Sequence, residues 1–229
     1  ANLATHAAAR TLVGELRAAG YCAIEGPATP AHRVGWERRA APAWFANNAC
    51  VCFPWSEFDR GLADVVIEIN PAGGFGAGSH PTTLLVLGEL ARQRQLGRVL
   101  DVGCGTGVLS VAAALFGAEE VTAIDIVEAA VLATRSNAAS NGVGGLVTAL
   151  DSPLRDVAPS YDTIVANIHA PALIEMAADL RRLLAPRGTI ALSGMSKAQV
   201  STIKAAFAPL VVSDERHNND WAALILAEQ

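Results

Sequence analysis

The run V-L-D-V-G-C-G-T-G-V-L at positions 99–109 constrains the fold of this 229-residue chain more than any other stretch. Apolar residues lead into three glycines at alternate positions, and a run without helix breakers follows them. This order predicts a strand, a sharp turn and a helix. Glycine permits both a sharp turn and the close approach of a ligand to the backbone, because it has no Cβ. We therefore expect a ligand-binding turn that includes Gly103 and Gly105.

The spacing of the glycines bears on the class of ligand. Dinucleotide-binding turns have the pattern G-x-G-x-x-G, whereas here the third glycine comes one residue earlier and Val108 takes its place. This spacing argues against NAD or FAD. Asp125 ends the next predicted strand about twenty residues after the glycines, where an acid that binds ribose hydroxyls is expected. The alternative is that Asp125 only caps the helix that follows.

Downstream of the glycines, segments with strand and helix periodicity alternate. Helices are predicted over residues 108–116, 128–141, 171–184 and 197–207, and strands over 121–126, 146–151, 161–168, 189–193, 210–216 and 221–227. Another helix is predicted before the glycines, over residues 82–95. Alternation of this kind predicts a parallel sheet with helices on both faces. The last two strands are joined by only four residues, so they must be antiparallel. We expect an α/β fold with a seven-stranded, mostly parallel, Rossmann-like sheet and a reversed last strand.

The first third of the chain is more varied. A helix is predicted over residues 5–19 and a short strand over 21–24, and residues 32–44 form either a substrate-facing lid or a solvated helix. Strands over 49–53 and 64–69 are interpreted as a hairpin. We therefore expect two parts, an extension of helix, linker and hairpin over residues 1–72 and a ligand-binding domain over residues 73–229.

Composition narrows the range of partners. Apolar residues make up 52% of the chain, enough for a substantial core, and the net charge of −5 argues against a direct nucleic-acid partner. No apolar run approaches the ~20 residues that cross a bilayer, and residues 1–20 lack the pattern of a signal peptide. The four cysteines form no metal-binding spacing. We expect a cytoplasmic protein with free thiols, without a metal and without a membrane partner, and the oligomeric state stays open.

Several motifs together resemble the PrmA family of class I S-adenosylmethionine-dependent methyltransferases. The D-x-G-x-G-x-G turn resembles the first motif of that class. More specific are F-G-A-G-S-H-P-T-T at 75–83, V-A-N-I at 165–168 and L-S-G-M at 192–195. PrmA enzymes methylate lysine side chains and an N-terminal amine of a large-subunit ribosomal protein. The resemblance implies a methyltransferase sheet, S-adenosylmethionine as cofactor, S-adenosylhomocysteine as product, and a protein substrate.

The resemblance also implies roles for individual residues. The family's cofactor contacts correspond to Thr83, Gly103, Asp125 and Asn167, and Phe75 and Gly76 would close over the ligand. Asp101 would help to orient the ammonium of the cofactor through water or backbone, and Gly105 would present its backbone to the ligand.

Two residues are candidates for a catalytic role. Asn167 follows a predicted strand, and the carboxyl ends of parallel strands border the ligand crevice. Its amide oxygen would accept a hydrogen bond from the attacking amine and aim the nitrogen lone pair. The alternative is that Asn167 bonds only cofactor or backbone. His80 lies in the motif at 75–83, and its alternative is a structural role as the cap of the helix that follows.

Other functions stay open at this point. PrmA proteins carry a separate N-terminal substrate-recognition domain, whereas residues 1–30 are expected to be too few for an independent core. A different protein or a small amine is therefore a second class of acceptor, for a small-molecule N- or O-methyltransferase. Nucleic-acid amino methylation is disfavoured, because Asn167 is followed by Ile168 and His169 rather than by an aromatic ring that stacks on a base. A non-enzymatic module that binds the cofactor is the remaining alternative.

Overall fold

A computed structural model describes residues 41–46, 48–71 and 77–228 of the chain. The predicted helix at 5–19, the predicted strand at 21–24, most of the segment 32–44, and the two residues Phe75 and Gly76 lie outside the described residues. Residues 40–229 form one compact unit.

The centre of the described structure is a seven-stranded sheet, as the strand and helix periodicity predicts. Five strands run parallel, and the last strand enters antiparallel between two earlier ones. The order is β6-β5-β4-β7-β8-β10-β9, with bounds β4 (Arg98–Val102), β5 (Glu120–Ile124), β6 (Val147–Leu150), β7 (Tyr161–Asn167), β8 (Leu184–Ser196), β9 (Val211–Asn218) and β10 (Trp221–Ala227). The expected α/β sheet with a reversed last strand is confirmed.

Helices cover both faces of this sheet. They are α1 (Pro81–Leu90), α2 (Val108–Leu115), α3 (Glu128–Ser140), α4 (Ala170–Leu183) and α5 (Val200–Ala206). Successive strand residues point to opposite faces, so Val99 belongs to the core under the first three helices, whereas Leu100 belongs to the core under the last two. Helix α1 ends five residues before the expected 95, because beyond it the side chain of Gln93 and the carbonyl of Leu96 bond strand residues of the sheet.

A smaller sheet contains β1 (Ala43–Phe45), β2 (Ala49–Cys52) and β3 (Val65–Glu68). The predicted hairpin of β2 and β3 is wrong, since these two strands are parallel. Twelve residues, among them the 3-10 turn Arg60–Leu62, separate the two strands, which is enough for a parallel crossover. The antiparallel partner of β2 is β1, so the predicted lid or helix at 32–44 does not extend to Trp44, which lies in a strand.

The small sheet shares a core with the large one. Phe45, Val51, Ile67 and Ile69 are buried together with residues of α1 and α2. A shared core is compatible with a domain boundary after residue 72, because an N-terminal extension can pack on the domain that follows it. The boundary therefore stays a prediction. Among the residues that the structure describes, no helix is long and apolar enough to cross a membrane.

Candidate active site

A cavity of about 640 Å³ lies at the carboxyl edge of the large sheet. This is the edge at which open α/β sheets bind their ligands, and the volume lies in the usual range for cofactor sites. Most of its lining is apolar, with polar groups from several strand ends. It is lined by His80, Thr82, Val102, Gly103, Gly105, Ile124, Asp125, Ile126, Val127, Ser152, Leu154, Asn167, Ile168, His169, Ala172, Met176, Gly194 and Trp221.

The glycine turn has the backbone conformation that the sequence predicts. Gly103, Gly105 and Gly107 have φ angles of 74°, 56° and 80°, in the region that residues with a Cβ rarely adopt. A Cβ added at Gly103 would lie 2.5 Å from Cγ2 of Ile168. The amides of Gly103 and Cys104 donate to the carbonyl of Ile124, at 2.9 and 3.0 Å, which joins the turn to the neighbouring strand. The turn therefore presents backbone, not side chains, to the cavity.

Asp125 has a fixed orientation at the end of β5. Its Oδ2 accepts from the amide of Gly105 at 2.9 Å, and its Oδ1 accepts from the amide of Val127 at 3.0 Å. Helix α3 begins at Glu128 after the N-cap residue Val127, so Asp125 also bonds one amide at the start of this helix, as the capping alternative expects. A carboxylate oxygen has more than one acceptor site, and Asp125 lines the cavity. It can therefore accept two further hydrogen bonds from vicinal hydroxyls.

Asp101 lies behind the turn and does not line the cavity. Its side chain is buried, Oδ2 accepts from Ser110 Oγ at 2.6 Å, and Oδ1 has no hydrogen-bond partner among the described residues. Burial raises the pKa of this carboxyl to about 6; the hydrogen bonds from Ser110 oppose the rise, and the nearby charge of Asp125 adds to it. A buried anion with one unpartnered oxygen is suited to a cationic ligand group close to the turn.

Asn167 and Thr83 form one unit. Asn167 ends β7 and lines the cavity, and its Nδ2 donates to Oγ1 of Thr83 at 3.0 Å. Thr83 lies in the first turn of α1, is buried and does not itself line the cavity. Since Thr83 uses the amide nitrogen, the amide oxygen of Asn167 is the atom left to accept a bond from a ligand.

His80 caps helix α1. Thr82 N–H donates to Nδ1 of His80 at 3.4 Å, and Thr82 Oγ1 lies 2.7 Å from the same nitrogen. Accepting the Thr82 N–H requires the lone pair of Nδ1, whereas the contact with Thr82 Oγ1 fits either tautomer of the ring. The observed geometry is thus that of the structural alternative, in which His80 caps α1. To accept a proton at Nδ1, the ring would have to give up its hydrogen bond from Thr82. A catalytic role for His80 stays a prediction.

Sequence reasoning missed several lining residues. Trp221 begins β10, and its ring packs edge-on against His80 with centroids 5.1 Å apart. Because β10 is reversed, its first residue lies at the edge where the parallel strands end. The short turn predicted at 217–220 already indicates this reversal. Ile126 is 85% exposed directly after Asp125. Ala172 and Met176 lie one turn apart on α4. Core-facing residues of a helix have the same spacing, so the sequence pattern does not distinguish these two lining residues from core residues.

The residues of the cavity fit S-adenosylmethionine. Asp125 suits a ribose, the backbone of Gly103 and Gly105 permits close approach, and Ile126, Leu154 and Met176 provide apolar walls for a planar ring. Among the described residues, no group of three or more His, Cys, Asp or Glu side chains is arranged to hold a metal ion.

The last strand of the large sheet runs antiparallel between two earlier strands, and the glycine turn and Asp125 follow two neighbouring parallel strands. This combination is typical of class I S-adenosylmethionine-dependent methyltransferases, and this chain has their fold. The sequence profile of the ribosomal protein L11 methyltransferase (PrmA) family matches residues 32–229. The chain belongs to this family.

Individual relatives agree with that assignment. Ribosomal protein L11 methyltransferase of Geobacter metallireducens is 37% identical over 195 residues, which cover 84% of this chain and 64% of that protein. The protein of the same name from Citrifermentans bemidjiense is 36% identical over 196 residues, which cover 82% and 64%. The chain thus spans slightly less than two thirds of the length of these relatives. A crystal structure of ribosomal protein L11 methylase from Lactobacillus delbrueckii subsp. bulgaricus has a TM-score of 0.74 at 27% identity, and the match covers 83% of this chain and 100% of that one.

Proposed function

We propose that this chain binds S-adenosylmethionine in the cavity and transfers a methyl group to an amine nitrogen, with a lysine side chain or an N-terminal amine of a protein as acceptor. The observation that carries the proposal is that Asp125, the glycine turn and Asn167 border one cavity. The names of the relatives, ribosomal protein L11 methyltransferases, support a protein acceptor.

The chain's own residues would hold the cofactor as follows. Asp125 would accept hydrogen bonds from the two ribose hydroxyls, since its orientation is already fixed by the amides of Gly105 and Val127. The backbone of Gly103 would lie against the amino-acid tail, and buried Asp101 would attract the ammonium of that tail. Contacts from Phe75 and Gly76 stay predictions from the family resemblance.

Asn167 would position the acceptor. When bound, S-adenosylmethionine supplies a methyl group on a positively charged sulfur. The acceptor amine would take up this methyl group through its nitrogen lone pair, and the ammonium so formed would release its proton to solvent. The amide oxygen of Asn167 accepts a hydrogen bond from the neutral amine and so aims the lone pair. No side chain has to act as a strong base, which agrees with the capping role of Nδ1 of His80.

The test combines binding and turnover. Calorimetry with S-adenosylmethionine and S-adenosylhomocysteine should show one site on the wild-type chain, and a Glu119→Gln variant, which changes an exposed carboxylate far from the cavity, should bind equally. Labelled-methyl transfer is then measured to ribosomal proteins and to a panel of small amines. Transfer to a large-subunit ribosomal protein supports the proposal, transfer only to small amines replaces the acceptor class, and absence of binding overturns the function.

A further inference from the structure

Helix α3 buries polar side chains where a helix on a sheet normally buries apolar ones. Thr134 and Asn137 of the helix and half-buried Asn141, the C-cap residue directly after it, recur at three- and four-residue spacing and therefore lie on one face. Thr134 is 0% exposed and Asn137 is 2% exposed. We call these three residues the polar stripe of α3. Buried polar groups are costly unless they are bonded, so the partners of the stripe indicate what it does.

Two members of the stripe pair with the backbone at the end of β3. Asn137 accepts from the amide of Asn70 at 2.9 Å and donates to its carbonyl at 3.0 Å. Asn141 accepts from the amide of Glu68 at 2.9 Å and donates to its carbonyl at 2.7 Å. Residues four apart on a helix rise about 6.0 Å, and residues two apart on a strand rise about 6.6 Å. The side-chain amides of Asn137 and Asn141 thus make the backbone hydrogen bonds that a neighbouring strand would make.

Two members also bond the glycine turn. Asn137 Nδ2 donates to the carbonyl of Thr106 at 2.9 Å. Thr134 Oγ1 lies 3.2 Å from both the carbonyl oxygen of Gly105 and Sγ of Cys104, so its single proton is shared between two acceptors of the turn. A Cβ at Gly107 would lie 2.8 Å from Cγ2 and Oγ1 of Thr134, so the turn packs directly on the helix. The carbonyls of the turn therefore point to α3, while the amide of Gly105 points to Asp125.

We propose that Thr134 and Asn137 are positioning residues for the cofactor, which hold the carbonyls of Gly105 and Thr106 so that the glycine turn keeps its ligand-binding conformation. Asn137 has a second task, because the same amide fixes Asn70 and so ties the end of β3 to the turn. This inference rests on the proposed function, since it names the residues that prepare the same site.

The stripe supplies its own controls. Asn141→Ala removes the pairing with Glu68 and a bond to the carbonyl of Asn137 but touches nothing in the turn. Thr134→Val removes a bond to the turn and leaves both pairings with the end of β3. Asn137→Ala removes the pairing with Asn70 together with the bond to Thr106. If the turn depends on the stripe, Asn137→Ala and Thr134→Val weaken binding of S-adenosylhomocysteine about tenfold, whereas Asn141→Ala stays within about twofold of wild type. Urea denaturation of each variant shows how far overall stability has changed.

A second readout does not need the ligand. Amide hydrogen exchange of the free protein, followed over residues 103–107, should accelerate in Asn137→Ala and Thr134→Val and stay unchanged in Asn141→Ala. If Asn137→Ala does not fold, Thr134→Val decides. Wild-type affinity and exchange in Thr134→Val, or an equal loss of affinity in Asn141→Ala, overturns the inference while the proposed function stands. Failure of the wild type to bind overturns the function, and the exchange rates then judge the stripe alone.

Discussion

Asp101→Asn should change the pH dependence of stability in a way that follows from burial. The pKa of Asp101 is about 6 in the folded chain, whereas the ordinary pKa of an aspartate side chain is 3.8. Between these values the folded state binds more protons than the unfolded state, so this group makes the wild type less stable as the pH rises. The difference in pKa corresponds to about 3 kcal/mol at about 1.4 kcal/mol per pH unit. Asparagine has no such proton to lose.

The measurement is urea denaturation of wild type and Asp101→Asn at intervals from pH 4 to pH 8. The free energy of unfolding of the variant, minus that of the wild type, should rise by about 2 to 3 kcal/mol over this range. The difference in free energy can also contain a part that is the same at every pH, because the new amide nitrogen takes the place of an oxygen that has no partner among the described residues. Glu119→Gln is the control for loss of one negative charge. A difference that stays constant with pH would refute the reasoning.

Substitutions at three further positions test the candidate site and the fold around it. Asp125→Ala should weaken binding of S-adenosylhomocysteine at least about tenfold by calorimetry, since it removes charged acceptors; unchanged affinity would contradict the placement of the ribose. Thr83→Val should lower the rate of methyl transfer about tenfold because the amide of Asn167 loses its partner, and Thr83→Ser should restore it; equal rates in both would exclude an orienting role. Gly194→Ala should destabilise the fold by at least about 2 kcal/mol in urea, because Gly194 has φ 90° and a Cβ there would collide with the backbone of Ile168; a change below ~0.5 kcal/mol would contradict this.

The large sheet could be predicted because its signals are local. Strand and helix periods alternate along the chain, and the four residues before Trp221 allow only a reversed strand. The relation between β2 and β3 could not be predicted in this way, since twelve linking residues permit either direction and the choice is made by packing on α1 and α2. An apolar strand carries the same pattern in both cases.

The site divides along the same line. Asp125 and Asn167 follow predicted strands, so the rule that ligands lie beyond the carboxyl ends of parallel strands finds both. Applied to a reversed strand, the rule points to the first residue, and it would have found Trp221. Thr83 is different, because its bond to Asn167 spans 84 positions of the chain. No local pattern contains that bond, and only the resemblance to a family pointed to Thr83.

The polar stripe of α3 explains why the third glycine of the turn stands where it does. In a dinucleotide-binding turn the third glycine lets the helix pack closely, and it comes three residues after the second. Here Gly107 comes two residues after Gly105, directly before α2, and its missing Cβ makes room for Thr134. Val108, which replaces the later glycine, is buried in the core instead. The position of this glycine thus fits the packing of the turn on α3, and Thr134, on which Gly107 packs, also lies within hydrogen-bond distance of the carbonyl of Gly105.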